Sequence, residues 1–387
     1  MGRSPRVHHS LELNPAAKLP LSSGTHPEVH MPNRLIASRR PHLSVAIGLV
    51  LLTLLTLILL AVTPVDGRSA LARLRAFAVR EYLLPHKSPD AYAHDPAVAS
   101  DGSVYFADQQ GHYIGRLDPE TGKVTEYPTP SANSGPHGII VAPDGAVWYT
   151  GNAIGNIGRL DPKTGKITEF KTGDAATRTG AWDPHTPLWL NGTLWFTAQN
   201  SNKYGTLNPN SGEVKLYDVA THGAKPYGLQ HAPDGSLWIA LFGTNKLGHL
   251  DPKTAKLTEI DLPNAGARPR RLAITSDGRI WYSDYARGYL GMYDPKAKTA
   301  KEWATPNTKP GVGSAPYGIG IAPDGAVWFN EARNSTMVRF DPTTEHMEVV
   351  LIPTKGSVVR NVSVDSTRHR LWLAESGISR LGRIDLK

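Results

Sequence analysis

The chain contains no cysteine among its 387 residues. That absence removes thiol nucleophiles, thiolate zinc sites, iron–sulfur clusters, lipid-modified cysteines and disulfides, and leaves His, Asp, Glu and the hydroxyl residues for chemistry. There is also no phosphate-binding Gly-rich loop, no HExxH helix, no GxSxG elbow and no GxGxxG after a strand, so the commonest nucleotide and hydrolase chemistries have no carrier. Nor is there a Lys/Arg-rich run interleaved with aromatics. The formal charge of +8 is shared unevenly, half of it lying in residues 1–42, where Arg3, Arg6, Lys18, Arg34, Arg39 and Arg40 face only Glu12 and Glu28. The remainder is nearly balanced, and no nucleic-acid partner is expected.

One apolar run stands out. Residues 43–63, LSVAIGLVLLTLLTLILLAVT, carry no charge and follow Arg39-Arg40. At about 1.5 Å per residue a helix of this length spans a hydrocarbon core of about 30 Å. Basic residues on its N-terminal side place the preceding tail in the cytoplasm and everything after it outside. The expectation is a single-pass anchor in the inner or plasma membrane: a basic cytoplasmic tail over 1–42, the transmembrane helix over 43–63, a linker over 64–76, and a periplasmic or extracellular body over 77–387. The competing reading is a cleaved signal peptide and a secreted protein. A shorter apolar core and small residues at the cut would suit that reading better than Ala61-Val62-Thr63 does. Met31 precedes a complete basic n-region, MPNRLIASRR, and is a candidate start.

The body is built of repeats. An aromatic after a turn recurs at Tyr105, Trp148, Trp195, Trp238, Trp281, Trp328 and Trp372, with spacings of 43, 47, 43, 43, 47 and 44. Each copy has a Pro-x-Gly-Ile-like strand, the turn Ala-Pro-Asp-Gly, a strand such as Val-Trp-Tyr-Thr, then Ile-Gly-Arg-Leu-Asp-Pro, a Thr-Gly turn, and Lys-Ile-Thr-Glu-Phe. Asp-Gly between alternating apolar residues marks a hairpin, because both residues tolerate the positive φ of a tight turn. Asp-Pro-x-Thr-Gly at Asp118 and Asp161, and its relative Asp-Pro-x-Thr-Ala at Asp251, read as turns in which Asp caps the backbone. No segment after residue 77 has a 3.6-residue period, so the body is all-β. Four strands per copy and a period near 44 predict a seven-bladed β-propeller of four-stranded antiparallel blades. The last copy ends after its third strand. Val79–Pro85 matches the fourth-strand sequence Val124–Pro130, which predicts that the N-terminal strand completes the seventh blade and closes the ring as a monomer.

The elements Gly135-Pro136-His137-Gly138-Ile139, Val147-Trp148-Tyr149-Thr150 and Asn156-Ile157-Gly158-Arg159 resemble the virginiamycin B lyase (streptogramin lyase) family. The resemblance covers residues 77–387. It implies a seven-bladed propeller in which a divalent metal and a histidine promote elimination from a cyclic depsipeptide: the base takes a proton α to an ester carbonyl that the metal polarises. The family's centre uses Pro-His elements on two adjacent blades, with carboxylates two residues before the second His and four past that blade's aromatic. His137 matches the His, with His94 or His185 standing in for its partner. Gly135 and Asn152 occupy the carboxylate positions.

Comparison between the repeats gives two candidate sets. About eleven residues before each aromatic stand His94, His137, His185, Tyr227, Arg270, Tyr317 and Arg360, a polar and aromatic ring expected to line the channel mouth. The histidines are the candidate catalytic groups, and Tyr227, Arg270, Tyr317 and Arg360 the candidate substrate-binding groups. Three residues past the aromatic, Asp108, Glu331 and Glu375 fall on neighbouring blades. They are candidate oxygen ligands for a hard divalent cation, Mg²⁺ first, although an acid there equally reads as a group bonding loop backbone. The expected function is a metal-assisted C–O lyase or esterase acting on a small cyclic ester or peptide. The alternative is a non-catalytic propeller in which Arg270, Arg271 and Arg360 engage an anionic group.

Overall fold

A computed structural model describes residues 77–85 and 92–386. The tail 1–42, the apolar segment 43–63 and the linker 64–76 lie outside the described residues. Among the described residues no helix is long and apolar enough to cross a membrane.

Seven four-stranded antiparallel sheets form the blades of a propeller. Blade 1 runs outward from the hub through Ala93–Val98, Val104–Asp108, Tyr113–Leu117 and Val124–Pro128, and blades 2 to 6 repeat this order. Blade 7 takes Val359–Asp365, Arg370–Glu375 and Arg380–Asp385 from the C-terminus and Val79–Leu83 from the N-terminal side. Tyr82 faces Leu381 and Val79 faces Ile384 in that closing ladder. The expected strand exchange is therefore present.

Burial explains the strand patterns. The second strand of blade 2, Val147–Gly151, is buried at every position, whereas its outer strand, Ile167–Lys171, has none fully buried. Inner strands have neighbouring blades on both faces and read as continuous apolar runs; outer strands meet solvent. The signature aromatics fill the wedges between blades. Trp148, fully buried, packs with Leu194 and Phe196 of the next blade, and its ring lies 6.1 Å from that of Trp189 there.

The turns carry the predicted chemistry. In Ala142–Ala146 the Ala142 N–H donates to the Ala146 carbonyl at 2.8 Å, and Gly145 holds a φ of 82°. Asp118, Asp161 and Asp251 each accept the backbone N–H two residues on, at 2.9 Å. The two longer repeat spacings are insertions between an outer strand and the next inner one. A hairpin of Gly173–Asp174 and Thr179–Gly180 fills the first, and a Lys309–Val312 bridge the second.

Candidate functional site

Each innermost strand enters the hub through a bulge, as the register shift between Pro136 and Ile139 illustrates. A bulge leaves an N–H out of the ladder that needs another acceptor. In blade 2 the Thr150 hydroxyl accepts from Gly138 N–H at 2.9 Å and donates to the His185 carbonyl of the next blade at 2.7 Å. Thr197 and Ser283 do the same toward the Tyr227 and Tyr317 carbonyls, at 2.7 and 2.8 Å. The side chain two residues past the signature aromatic thus pins the ring residue of the adjoining blade.

The seven ring positions converge as the repeat comparison predicts. His94 and His137 have ring centroids 3.6 Å apart, His137 and His185 3.9 Å, and His185 and Tyr227 3.8 Å. Tyr227 and Tyr317 hydroxyls bond to each other. The Arg270 guanidinium lies 3.7 Å from the Tyr317 ring centroid and 4.2 Å from that of Tyr285, and donates to the Tyr227 hydroxyl at 3.1 Å. Arg360 lies over Tyr92 at 5.1 Å. These groups close the hub more than they line it: His94, His185, Tyr227 and Tyr317 are at most 2% exposed and His137 6%. Beneath them an axial cavity of about 290 Å³ is bounded by residues of all seven blades.

The position after the ring residue builds a second layer. Blades 2, 4 and 6 carry Gly138, Gly228 and Gly318 there, while blades 1, 3, 5 and 7 carry Asp95, Thr186, Arg271 and Asn361. A Cβ on Gly138 would sit 2.3 Å from the His185 carbonyl oxygen, so only glycine permits that approach. Across the hub, Arg271 Nη2 meets Asp95 Oδ1 at 2.8 Å and Oδ2 at 3.1 Å, both side chains nearly inaccessible. Asp95 Oδ1 also accepts from His94 Nδ1 at 2.9 Å. The repeat comparison passed over Asp95. Its signal was legible one position further along: a charged side chain where three repeats have glycine, with an opposite charge at Arg271.

Burial holds His94, His137 and His185 well below the ordinary imidazole range. For His94 the guanidiniums of Arg360, Arg271 and Arg270 add to it, and for His137 and His185 the next cause is the neighbouring histidine. All three are neutral at physiological pH.

The proposed carboxylate trio does not share a site. Among the described residues one group of three acid or imidazole side chains has ligand atoms within 4.8 Å of one another, and it is His94, Asp95 and His137. Asp108 Oδ1 accepts the N–H groups of Tyr92 and Gly111 at 3.1 and 2.8 Å. Glu331 accepts Asn307 N–H at 2.9 Å and the Thr336 hydroxyl at 2.8 Å. Asp108 and Glu331 each tie loop groups to their own blade, and among the described residues the trio does not form one ligand group.

Glu375 is buried, its oxygens make no hydrogen bond of ordinary geometry, and its pKa is pushed up to about 8, first by burial and then by Glu81. The unfolded chain ionises this group near the ordinary 4.5, so the fold binds the proton more tightly. Stability is then full below about pH 4.5, falls as pH rises toward 8, and is flat beyond, a loss on the order of 3–5 kcal/mol. Glu375→Gln should match the parent at pH 4 and exceed it by about 2–4 kcal/mol at pH 9. Urea denaturation at both pH values checks this; equal midpoints at pH 9 would refute it.

The fit to a resemblance-implied Mg²⁺ is poor at the matching positions. Gly135 has a φ of 60°, and a Cβ there would lie 2.8 Å from that of Ala153. Asn152 uses its amide nitrogen to donate to the Asp183 and Pro184 carbonyls at 3.3 and 3.1 Å. Neither supplies the anionic oxygen that a hard cation takes.

Comparison with known proteins accords with the architecture. A streptogramin B lyase structure superposes with a TM-score of 0.71 at 23% identity, covering 80% of this chain and 98% of that one. The Staphylococcus aureus virginiamycin B lyase, in a catalytically inactive His-to-Ala form with quinupristin, gives 0.72 at 22%, covering 80% and 100%. The extracellular domain of a putative one-component system from B. thetaiotaomicron gives 0.62 at 14%, covering 79% and 39%. No curated protein sequence matches. The profile of the virginiamycin B lyase family matches residues 67–310, more than half of the chain, and the protein belongs to that family.

Proposed function

We propose that the hub recognises a small anionic ligand, a carboxylate-, sulfate- or phosphate-bearing molecule, from the mouth side. The supporting observation is a pair of guanidiniums, Arg270 and Arg360, packed on aromatic rings with no carboxylate partner among the described residues and with each Nε buried and unbonded. A partly buried cation without a counter-charge is costly, and an incoming anion would relieve that cost through charge-assisted hydrogen bonds. The apolar segment 43–63 would tether the propeller to the inner or plasma membrane and hold this mouth on the periplasmic or extracellular side, as a monomer. Calorimetric titration with a panel of small anions and their neutral amides should find binding selective for the anion. Arg270→Gln and Arg360→Gln should each weaken it about 10–100-fold. Equal affinity for a neutral analogue, or unchanged affinity in both variants, would refute the reading.

A second reading keeps the family's chemistry. His137 is neutral and the least enclosed of the three histidines. It would take the proton α to the carbonyl of a cyclic ester or depsipeptide, with His94 and His185 beside it and Tyr227 and Tyr317 holding the ring. With Gly135 and Asn152 at the carboxylate positions, no metal-assisted step is assigned. Ring opening of a cyclic depsipeptide that survives chelation and vanishes in His137→Ala would favour this reading over recognition alone.

A further inference from the structure

We propose that the mouth-side edge of blades 6 and 7 is a docking surface that lies against the headgroups of an anionic lipid bilayer. Among the described residues the large apolar side chains that stand out into solvent are Val312, Val349, Leu351 and Leu83, at 57, 41, 74 and 72% exposed. All four belong to blades 6 and 7 or to the connection that enters blade 6. Two of them are equivalent. The ladders pair the last residue of each outer strand with the first of the strand inside it, and in blades 1 to 5 that last residue is Pro128, Lys171, Asp218, Asp261 or Ala304. Blades 6 and 7 put Leu351 and Leu83 there. Two residues earlier, where Glu126, Glu169, Glu259, Glu302 and Glu81 stand in five blades, blade 6 has Val349. An exposed edge strand is ordinarily blunted by charge or proline, so bare leucines on adjacent edges mark a surface that meets something apolar.

Hydrogen bonds join these positions into one surface. Thr354 donates its N–H and hydroxyl to Glu81, two residues before Leu83. The Ser335 carbonyl accepts Ile352 N–H at 3.1 Å, and its hydroxyl accepts Gly356 N–H at 2.9 Å. Arg333 donates to the Gly313 carbonyl, beside Val312. Pairing of Leu351 with Thr336, and of Thr336 with Glu331, sets the patch at the mouth end of its blade. The segments that frame it, 305–313, 332–335 and 351–358, contain Lys309, Arg333 and Lys355, all exposed, and no acid. Apolar side chains among unopposed cations suit a bilayer of acidic lipids, which is negative at its surface and apolar beneath. The chain also enters the propeller here. Residues 64–76, which carry Arg68, Arg73 and Arg75, are 13 in number and separate the apolar run from Phe77. Fully extended they reach about 45 Å, so a surface too weak to hold a free protein is kept beside the bilayer. The inference rests on the membrane tether proposed for residues 43–63.

The lack of cysteine permits a direct test. Full-length chains carrying Leu351→Cys, Leu83→Cys or, on blade 2, Lys171→Cys are labelled with an environment-sensitive fluorophore and reconstituted in phosphatidylcholine vesicles with or without phosphatidylglycerol. Flotation of the vesicles reports whether they hold the chain. With phosphatidylglycerol, the labels at 351 and 83 should be about 2–3-fold brighter than that at 171, and only they should be quenched by nitroxide-bearing lipids. That excess should fall by at least about half in ~1 M salt, without phosphatidylglycerol, or when Lys309→Gln, Arg333→Gln and Lys355→Gln are combined. Chains that float but give the same signal at all three positions overturn the docking and leave the tether standing. Chains that do not float refute the tether and the docking with it. An excess that is equal in both lipids overturns the proposal, because charge then plays no part. So does one that grows with the density of protein in the vesicle and is not quenched from the lipid, which assigns the patch to a second copy of the chain. Thermal melting confirms that the variants are folded; if Leu83→Cys is not, Leu351→Cys decides.

Discussion

Arg271→Leu should destabilise the propeller by about 3–5 kcal/mol, because it strands the Asp95 carboxylate in a site from which water is excluded. The side chains of this pair are 6% and 3% exposed. The contrast is with Arg159–Asp144 on the rim, 35% and 53% exposed, where a pair of similar length contributes about 0–1 kcal/mol. The larger figure is the cost of removing one partner, and the net worth of the pair is smaller. Asp95→Asn combined with Arg271→Leu should therefore recover at least half of the loss. Urea denaturation of the four proteins in chelator measures the coupling. Additive losses in the double variant would show that Asp95 and Arg271 act independently and would refute the account.

The second large effect concerns closure. Residues 77–85 supply the outer strand of blade 7, with Tyr82 and Leu84 buried in a cluster with Trp372 and Leu381. Glu81 accepts the Thr354 N–H and hydroxyl at 2.9 and 2.8 Å and pairs with Arg380. A chain beginning at residue 92 loses all of these and bares the edge of Arg380–Asp385, an invitation to pair with another molecule. Burial of Tyr82 and Leu84 alone is worth about 3–6 kcal/mol. Against a chain beginning at residue 77, the shorter one should melt about 10–20 °C lower and aggregate on heating. Matching melting curves would mean that the ring is not fastened there.

The fold was legible because a repeat repeats its physics. Seven aromatics at near-constant spacing, Asp-Gly turns and a strand missing at one end and surplus at the other left a single architecture. The ring positions were legible for the same reason: equivalent residues of a closed propeller must converge, so His94, His137, His185, Tyr227, Arg270, Tyr317 and Arg360 meet at the axis. Asp108, Glu331 and Glu375 were equivalent in the repeat too, but they end the second strand, not the first. Equivalence there brings each to the same loop of its own blade and not to its neighbours. The Asp95–Arg271 pair, 176 residues apart, occupies equivalent repeat positions and was legible as two opposite charges there; that they bond directly across the hub was not, since repeat equivalence gives convergence and not pairing. That the ring seals the hub instead of lining an open mouth was also beyond the sequence, since stacking of imidazoles depends on how closely the glycine-bearing blades let their neighbours approach.

The glycines of that inner layer lead to an arithmetic consequence. Small and large occupants trade places from blade to blade, and seven is odd, so perfect alternation cannot be completed round the circle. One neighbouring pair must be alike, two side chains or two glycines, and here it is Asn361 with Asp95, on blades 7 and 1, beside the blade in which the two ends of the chain are joined. An even-membered wheel made from the same units would have no such place. The parity of the ring thus obliges the hub to be lopsided, and Asp95 stands at the point of mismatch.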